Sequence, residues 1–87
     1  MAETKEDIFL SEPIGDKTTD WLPGIEEEDA IALEKKGFET AYQLLGQFLL
    51  LKQDEFLFVE WLKLFEIKDN AAVECYKCLK AWVDRFM

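Results

Sequence analysis

The segment from Thr40 to Lys52 constrains this chain more than any other. Thr40, with Gln43 three residues on, reads as a capping box that opens a helix over 41–52. Ala41, Tyr42, Leu44, Leu45, Phe48, Leu49, Leu50 and Leu51 then cover nearly all of that helix's faces. A helix apolar all round has no natural solvent side, so it belongs at the centre of a core or at an interface. The chain has only 87 residues. That length supports one core, so a single domain spanning 1–87 is expected, built around this helix.

The segments on either side also read as helices. Thr4 with Asp7 suits the cap of a short first helix, which ends before Glu12-Pro13-Ile14-Gly15 because proline disfavours helix at the residue before it. Thr19-Asp20-Trp21-Leu22 fits one helical turn closed by Pro23-Gly24. Glu26 to Lys36 is the next helix, with four acids in its first turn, two lysines in its last and Gly37 as its stop. Asp54 caps a helix over Glu55–Glu66 that carries Phe58, Trp61, Leu62 and Phe65 on one face. Asp69 or Asn70 caps the last helix, where Ala72, Cys75, Tyr76, Leu79, Trp82, Val83 and Phe86 recur at three- and four-residue steps. No segment alternates with period two. The expected fold is all-α.

Composition removes several function classes. No apolar run exceeds four residues, as in Phe48–Leu51, so membrane insertion is not expected. The charged start lacks a secretory pattern, and two cysteines make no disulfide framework, which points to an intracellular setting. There is no histidine. A catalytic zinc or a Ser-His dyad is therefore implausible, and no other nucleophile has an activating base nearby. Cys75-x-x-Cys78 has metal spacing, but it lies mid-helix on one face with no second ligand pair, so both read as core thiols. The acids at 26–29 lack the spaced oxygens and glycine of a calcium loop. No enzyme activity, cofactor or metal is expected.

The charge is uneven. Residues 1–34 hold eleven acids against two bases, a net of −9, whereas residues 35–87 hold eight of each. Such a chain is repelled by phosphate at long range. Yet Leu22-Pro23-Gly24-Ile25 ahead of a helix looks like the loop of a helix-hairpin-helix spanning about 18–37. In that motif, loop amides and the second helix's N-terminus donate to a DNA phosphate. Here the second loop glycine position is Glu26, followed by Glu27, Glu28 and Asp29. The many large aromatics (Phe48, Phe56, Phe58, Trp61 and Trp82) exceed what so small a core can bury, and with the all-round apolar helix they suggest a self-complementary dimer.

Residues 9–17 (Phe-Leu-Ser-Glu-Pro-Ile-Gly-Asp-Lys), Gly24-Ile25, Lys36-Gly37-Phe38, Ala41-Tyr42, Leu45-Gly46-Gln47-Phe48-Leu49, Asp54-Glu55, Glu60-Trp61-Leu62-Lys63, Cys78-Leu79 and Trp82 resemble the barrier-to-autointegration factor family. The resemblance runs from residue 9 to the C-terminus with about one deletion. It implies a compact five-helix domain that forms a homodimer, bridges double-stranded DNA without sequence preference and binds LEM-domain proteins and lamins. It further implies residence in the nucleus and at the nuclear envelope, with the cytoplasm as an additional site.

Carried over residue by residue, the family's DNA contacts fall on Lys5, Gly24, Ile25, Glu26 and Asn70. The second glycine is Glu26, two lysines of the hairpin's second helix are Ile31 and Ala32, and a lysine of the last helix is Asn70. The dimer and partner surface falls on Leu45, Gly46, Phe48, Leu50, Leu51, Lys52 and Trp61. The shape of the DNA site thus survives without its charge, as in a factor-like paralogue class of the family that dimerises without binding DNA. The expectation is a homodimeric adaptor, or one paired with a paralogue, with weak or lost DNA binding. The alternative is a working DNA-bridging protein.

Overall fold

The computed structural model describes residues 5–11 and 13–87, and side chains from Ile8 onward within those ranges. The described residues form five α-helices: α1 (Lys5–Ser11), α2 (Glu27–Lys35), α3 (Ala41–Leu50), α4 (Glu55–Lys63) and α5 (Asp69–Phe86). A 3₁₀ turn, Thr19–Trp21, precedes α2. Among the described residues there is no strand, only a single antiparallel bridge between Thr18 and Thr40. The expected cap at Thr4 lies outside the described residues.

Local chemistry accounts for the helix starts. Thr40 Oγ1 accepts from the Gln43 amide at 3.3 Å, and Gln43 Oε1 accepts from the Thr40 amide at 3.0 Å, so the capping box forms as its spacing predicts. Asp54 Oδ1 accepts from the Leu57 amide at 3.0 Å and opens α4. The start of α5 differs from expectation. Lys68 is its N-cap, with no side-chain cap bond, and Asp69 is its first residue. Asp69 lies 3.7 Å from Lys63 across the α4–α5 turn. The hydrogen bond and charge of Glu60 raise the Lys63 pKa above the ordinary lysine value, and Asp69 adds to this.

Helices α2, α3 and α4 all end earlier than predicted, α2 by a single residue, at Lys35 rather than Lys36. At the end of α2, Gly37 at φ +93° closes the helix, with Phe38 N donating to Leu33 O and Gly37 N to Glu34 O, both at 2.9 Å. This is the expected C-terminal glycine motif. The same pair of bonds closes α3, from Gln53 N to Phe48 O and from Lys52 N to Leu49 O, but here two non-glycine residues are left-handed, Lys52 at φ +60° and Gln53 at φ +59°. After α4 the chain tightens to bonds between residues three apart, from Leu64 N to Trp61 O, Phe65 N to Leu62 O and Glu66 N to Lys63 O, and then turns left-handed at Glu66, φ +65°. α3 therefore stops at Leu50 rather than 52, and α4 at Lys63 rather than 66. A left-handed non-glycine residue leaves no mark in a sequence pattern.

One cluster of buried side chains draws on every helix: Phe9 from α1, Leu33 from α2, Ala41, Leu44, Leu45 and Phe48 from α3, Phe58, Val59 and Leu62 from α4, and Ala72, Cys75, Cys78, Leu79, Trp82 and Val83 from α5. Phe48 and Phe58 meet edge to face with centroids 5.4 Å apart, a geometry that adds about 0.5–1.5 kcal/mol to their burial. α5 packs along α4 and α1 and forms the back of the domain. Its Tyr76 hydroxyl donates to Gln53 O at 2.7 Å and so fixes the left-handed corner between α3 and α4.

Candidate functional site

The hairpin is present: the Thr19–Trp21 turn, a loop over 22–26 and then α2. Leu22, Pro23 and Ile25 are buried, so the loop's apolar residues anchor it to the core. Ile25, expected as a DNA contact, has no exposed side chain. At that position only the backbone can face a ligand.

Gly24 explains why the loop keeps its shape. It sits at φ +86°, and a Cβ built on it would lie 2.2 Å from the carbonyl oxygen of Ala71 in the first turn of α5. No side chain fits between loop and helix. The glycine is required by packing within the chain, whether or not the loop holds a phosphate.

The start of α2 carries its own anion. The backbone amide of Glu26 donates to Asp29 Oδ2 at 3.1 Å. This closes one of the amides that a helix N-terminus would otherwise offer to a phosphate. Between the loop and α5 lies an open cleft of about 990 Å³. Glu26, Glu27, Glu28 and Asp29 line one side, and Glu66, Lys68, Asn70 and Glu74 the other. Among the described residues, six carboxylates thus line the cleft against one ammonium, that of Lys68. Asn70, placed here from sequence, stands on the wall opposite Glu26. The side chain of Lys5 lies outside the described residues.

Sequence reasoning missed Glu66, Lys68, Ala71 and Glu74 as parts of this cleft. They lie some forty residues from the hairpin along the chain, and no local pattern links them to it. The role of Asp29 was legible in principle, because an acid three residues after a helix-capping position is a recognised pattern.

The second candidate surface lies on α3. Tyr42, Gly46 and Leu50 follow one another at four-residue steps and form an exposed stripe, with Tyr42 and Leu50 at 53% and 73% exposure. A Cβ on Gly46 would touch nothing within 4 Å in the single chain. Leu51 and Trp61 are half-buried, and Lys52 is exposed at the corner beyond α3. Leu45 and Phe48 differ from this group. They were expected at the interface, but the chain buries them in its own core because they point away from the Tyr42–Leu50 stripe. The helix that reads as apolar on all sides therefore divides into a core face and an exposed apolar face.

Among the described residues, no group of three or more metal-ligating side chains converges, and no helix is long and apolar enough to cross a membrane. Cys75 and Cys78 are buried in the core.

Comparison with known proteins gives a consistent picture. A sequence model described as "Barrier to autointegration factor" matches residues 1–86. Barrier-to-autointegration factor A of Xenopus laevis is 49% identical over 80 residues, covering 91% of this chain and 89% of that protein. Barrier-to-autointegration factor of Danio rerio is 45% identical over 84 residues, covering 95% and 93%. The Homo sapiens protein of that name is 45% identical over 80 residues, covering 91% and 90%.

Proposed function

Because the chain belongs to the barrier-to-autointegration factor family, we propose that it is a non-enzymatic, homodimeric adaptor of chromatin and the nuclear envelope that keeps the family scaffold and has weak or no DNA binding. The observation that carries this reading is the hydrogen bond from the Glu26 amide to Asp29, set in a cleft of six carboxylates and one lysine. A duplex approaching the hairpin meets a site already holding an anion and surrounded by like charge. Each phosphate contact contributes roughly one unit to the salt slope of binding. Glu26, Ile31, Ala32 and Asn70 supply none of the positive charge such contacts need.

The exposed stripe on α3 serves dimerisation in this account. Helices approach closely where a small residue faces a partner, and Gly46 sits between two exposed apolar neighbours, Tyr42 and Leu50. The homodimer, or a dimer with a family paralogue, places two α3 helices against each other there. Leu50, Leu51, Lys52 and Trp61 then border a surface for a LEM-domain partner, with lamin as a further partner. Partner binding on this surface is separate from the hairpin, so one function can be lost without the other.

The second reading is a functional DNA-bridging protein. The intact hairpin backbone and Gly24 favour it, although the packing of Gly24 against Ala71 accounts for that glycine without DNA. Titration of the protein into short duplex DNA at low salt and at about 150 mM salt separates the two. Little or no complex at the higher salt is expected. A micromolar or tighter complex there would establish the DNA-bridging reading instead.

A further inference from the structure

Beside the acidic cleft, the outer face of α2 and the α4–α5 turn enclose a second groove of about 340 Å³. Its floor is apolar: Ile31 and Ala32 from α2, Leu64 and Phe65 from the turn. Two of these are unusually open for large apolar residues, Ile31 at 48% and Leu64 at 79% exposure. Exposed apolar residues converging from two elements mark an interaction surface more often than scattered ones do. The groove also has two differently charged ends. Lys35 and Lys36 stand at one, and Glu28 and Glu66 at the other. Glu28, Ile31 and Glu66 line the acidic cleft as well, so groove and cleft form one continuous trough.

We propose that this trough is a docking site for a protein segment in which a run of Lys or Arg adjoins an apolar anchor. The anchor sits over Ile31 and Leu64, and the basic run extends into the cleft toward Glu27 and Asp29. The occupant follows from complementarity. An apolar floor selects against DNA, and a strongly acidic extension selects a cationic partner and steers its approach. The lysine pair fixes direction, because it repels the basic run and favours an acidic residue or chain carboxylate at the other end. The inference rests on the reading that the hairpin face no longer carries DNA.

Fluorescence anisotropy with the full chain tests it. The probe is a labelled peptide of four lysines followed by two leucines one helical turn apart and a terminal glutamate. A peptide of the same composition in scrambled order is the control, and duplex DNA is titrated in parallel. The expected result is preferential binding of the ordered peptide, weakened by salt. Leu64→Glu should weaken it about tenfold or more, as expected for an interface anchor. The double variant Glu27→Lys, Glu28→Lys should weaken it without touching the apolar floor. Circular dichroism shows whether each variant is folded, and both sets of residues are exposed.

Equal binding of ordered and scrambled peptides, or binding unchanged in both variants, would overturn the inference. So would a change in oligomeric mass on Leu64→Glu, which would make a second copy of the chain the occupant. Tight DNA binding without peptide binding would overturn this inference and the adaptor reading together. Absence of both would overturn this inference alone.

Discussion

Replacing Gly24 with alanine tests why the hairpin loop persists in a chain whose charge opposes DNA. Two costs add at this position. An alanine at φ +86° pays the left-handed penalty, about 1–2 kcal/mol. Its Cβ would also lie 2.2 Å from Ala71 O. To restore ordinary contact, the first turn of α5 must retreat by about an ångström. Ala72 and Cys75, the next inward-facing residues of that helix, are fully buried, and shifting them costs about 1–3 kcal/mol by analogy with overpacked cores. The expected loss is about 2–5 kcal/mol. For a domain of this size that lowers Tm by roughly 8–40 °C at 4–8 °C per kcal/mol.

Gly37→Ala is the matched control. Gly37 has a similar φ of +93°, but a Cβ there meets nothing within 4 Å, so only the left-handed penalty applies. Urea unfolding at fixed protein concentration measures both. If Gly24→Ala costs no more than Gly37→Ala, the packing argument is wrong and the glycine is kept for another reason.

Other substitutions probe other parts of the account. Gly46→Glu should yield a folded monomer: the side chain has open space within one chain, helix propensity improves by about 0.5–1 kcal/mol, and an unpartnered charge enters the proposed dimer face. Light scattering should fall from about 20 kDa, twice the 10.2 kDa chain, to the monomer mass, and an unchanged mass would place the dimer face elsewhere. Lys52→Gly should stabilise the chain by a few tenths to about 1 kcal/mol in thermal melts, because glycine relieves the left-handed strain at φ +60°; a loss of stability would mean that the lysine side chain contributes more than its backbone costs. Leu50→Glu changes a residue 73% exposed, so the fold should persist while calorimetric binding of a LEM domain is lost.

Most of the fold was legible because its signals are local. The Thr40–Gln43 box, the Asp54 cap, the glycine after α2 and the apolar steps of α5 each need only four to eight neighbouring residues. The misread boundaries share a different cause. Lys52, Gln53 and Glu66 turn the chain left-handed without being glycine, and what holds the first of these corners is remote: the Tyr76 hydroxyl, from α5, donates to Gln53 O. The candidate site divides in the same way. The acidic first turn of α2 is visible in the sequence, but the facing wall of Glu66, Lys68 and Glu74 exists only once α5 packs against the hairpin. Leu45 and Phe48 read as interface residues in sequence because an all-round apolar helix does not say which of its faces turns inward.

In the proposed function, carboxylates occupy and surround the position where a phosphate would dock. Parallel titrations of duplex DNA with the wild-type chain and with the triple variant Glu26→Gly, Ile31→Lys, Ala32→Lys test it most directly. Ile31 is exposed and Ala32 half-buried, so both lysines can reach solvent. The account predicts negligible complex for the wild type at about 150 mM salt and measurable binding for the variant, with a salt slope steeper by roughly two from the added lysines. Tight, salt-sensitive binding by the wild type, with little gain in the variant, would contradict it.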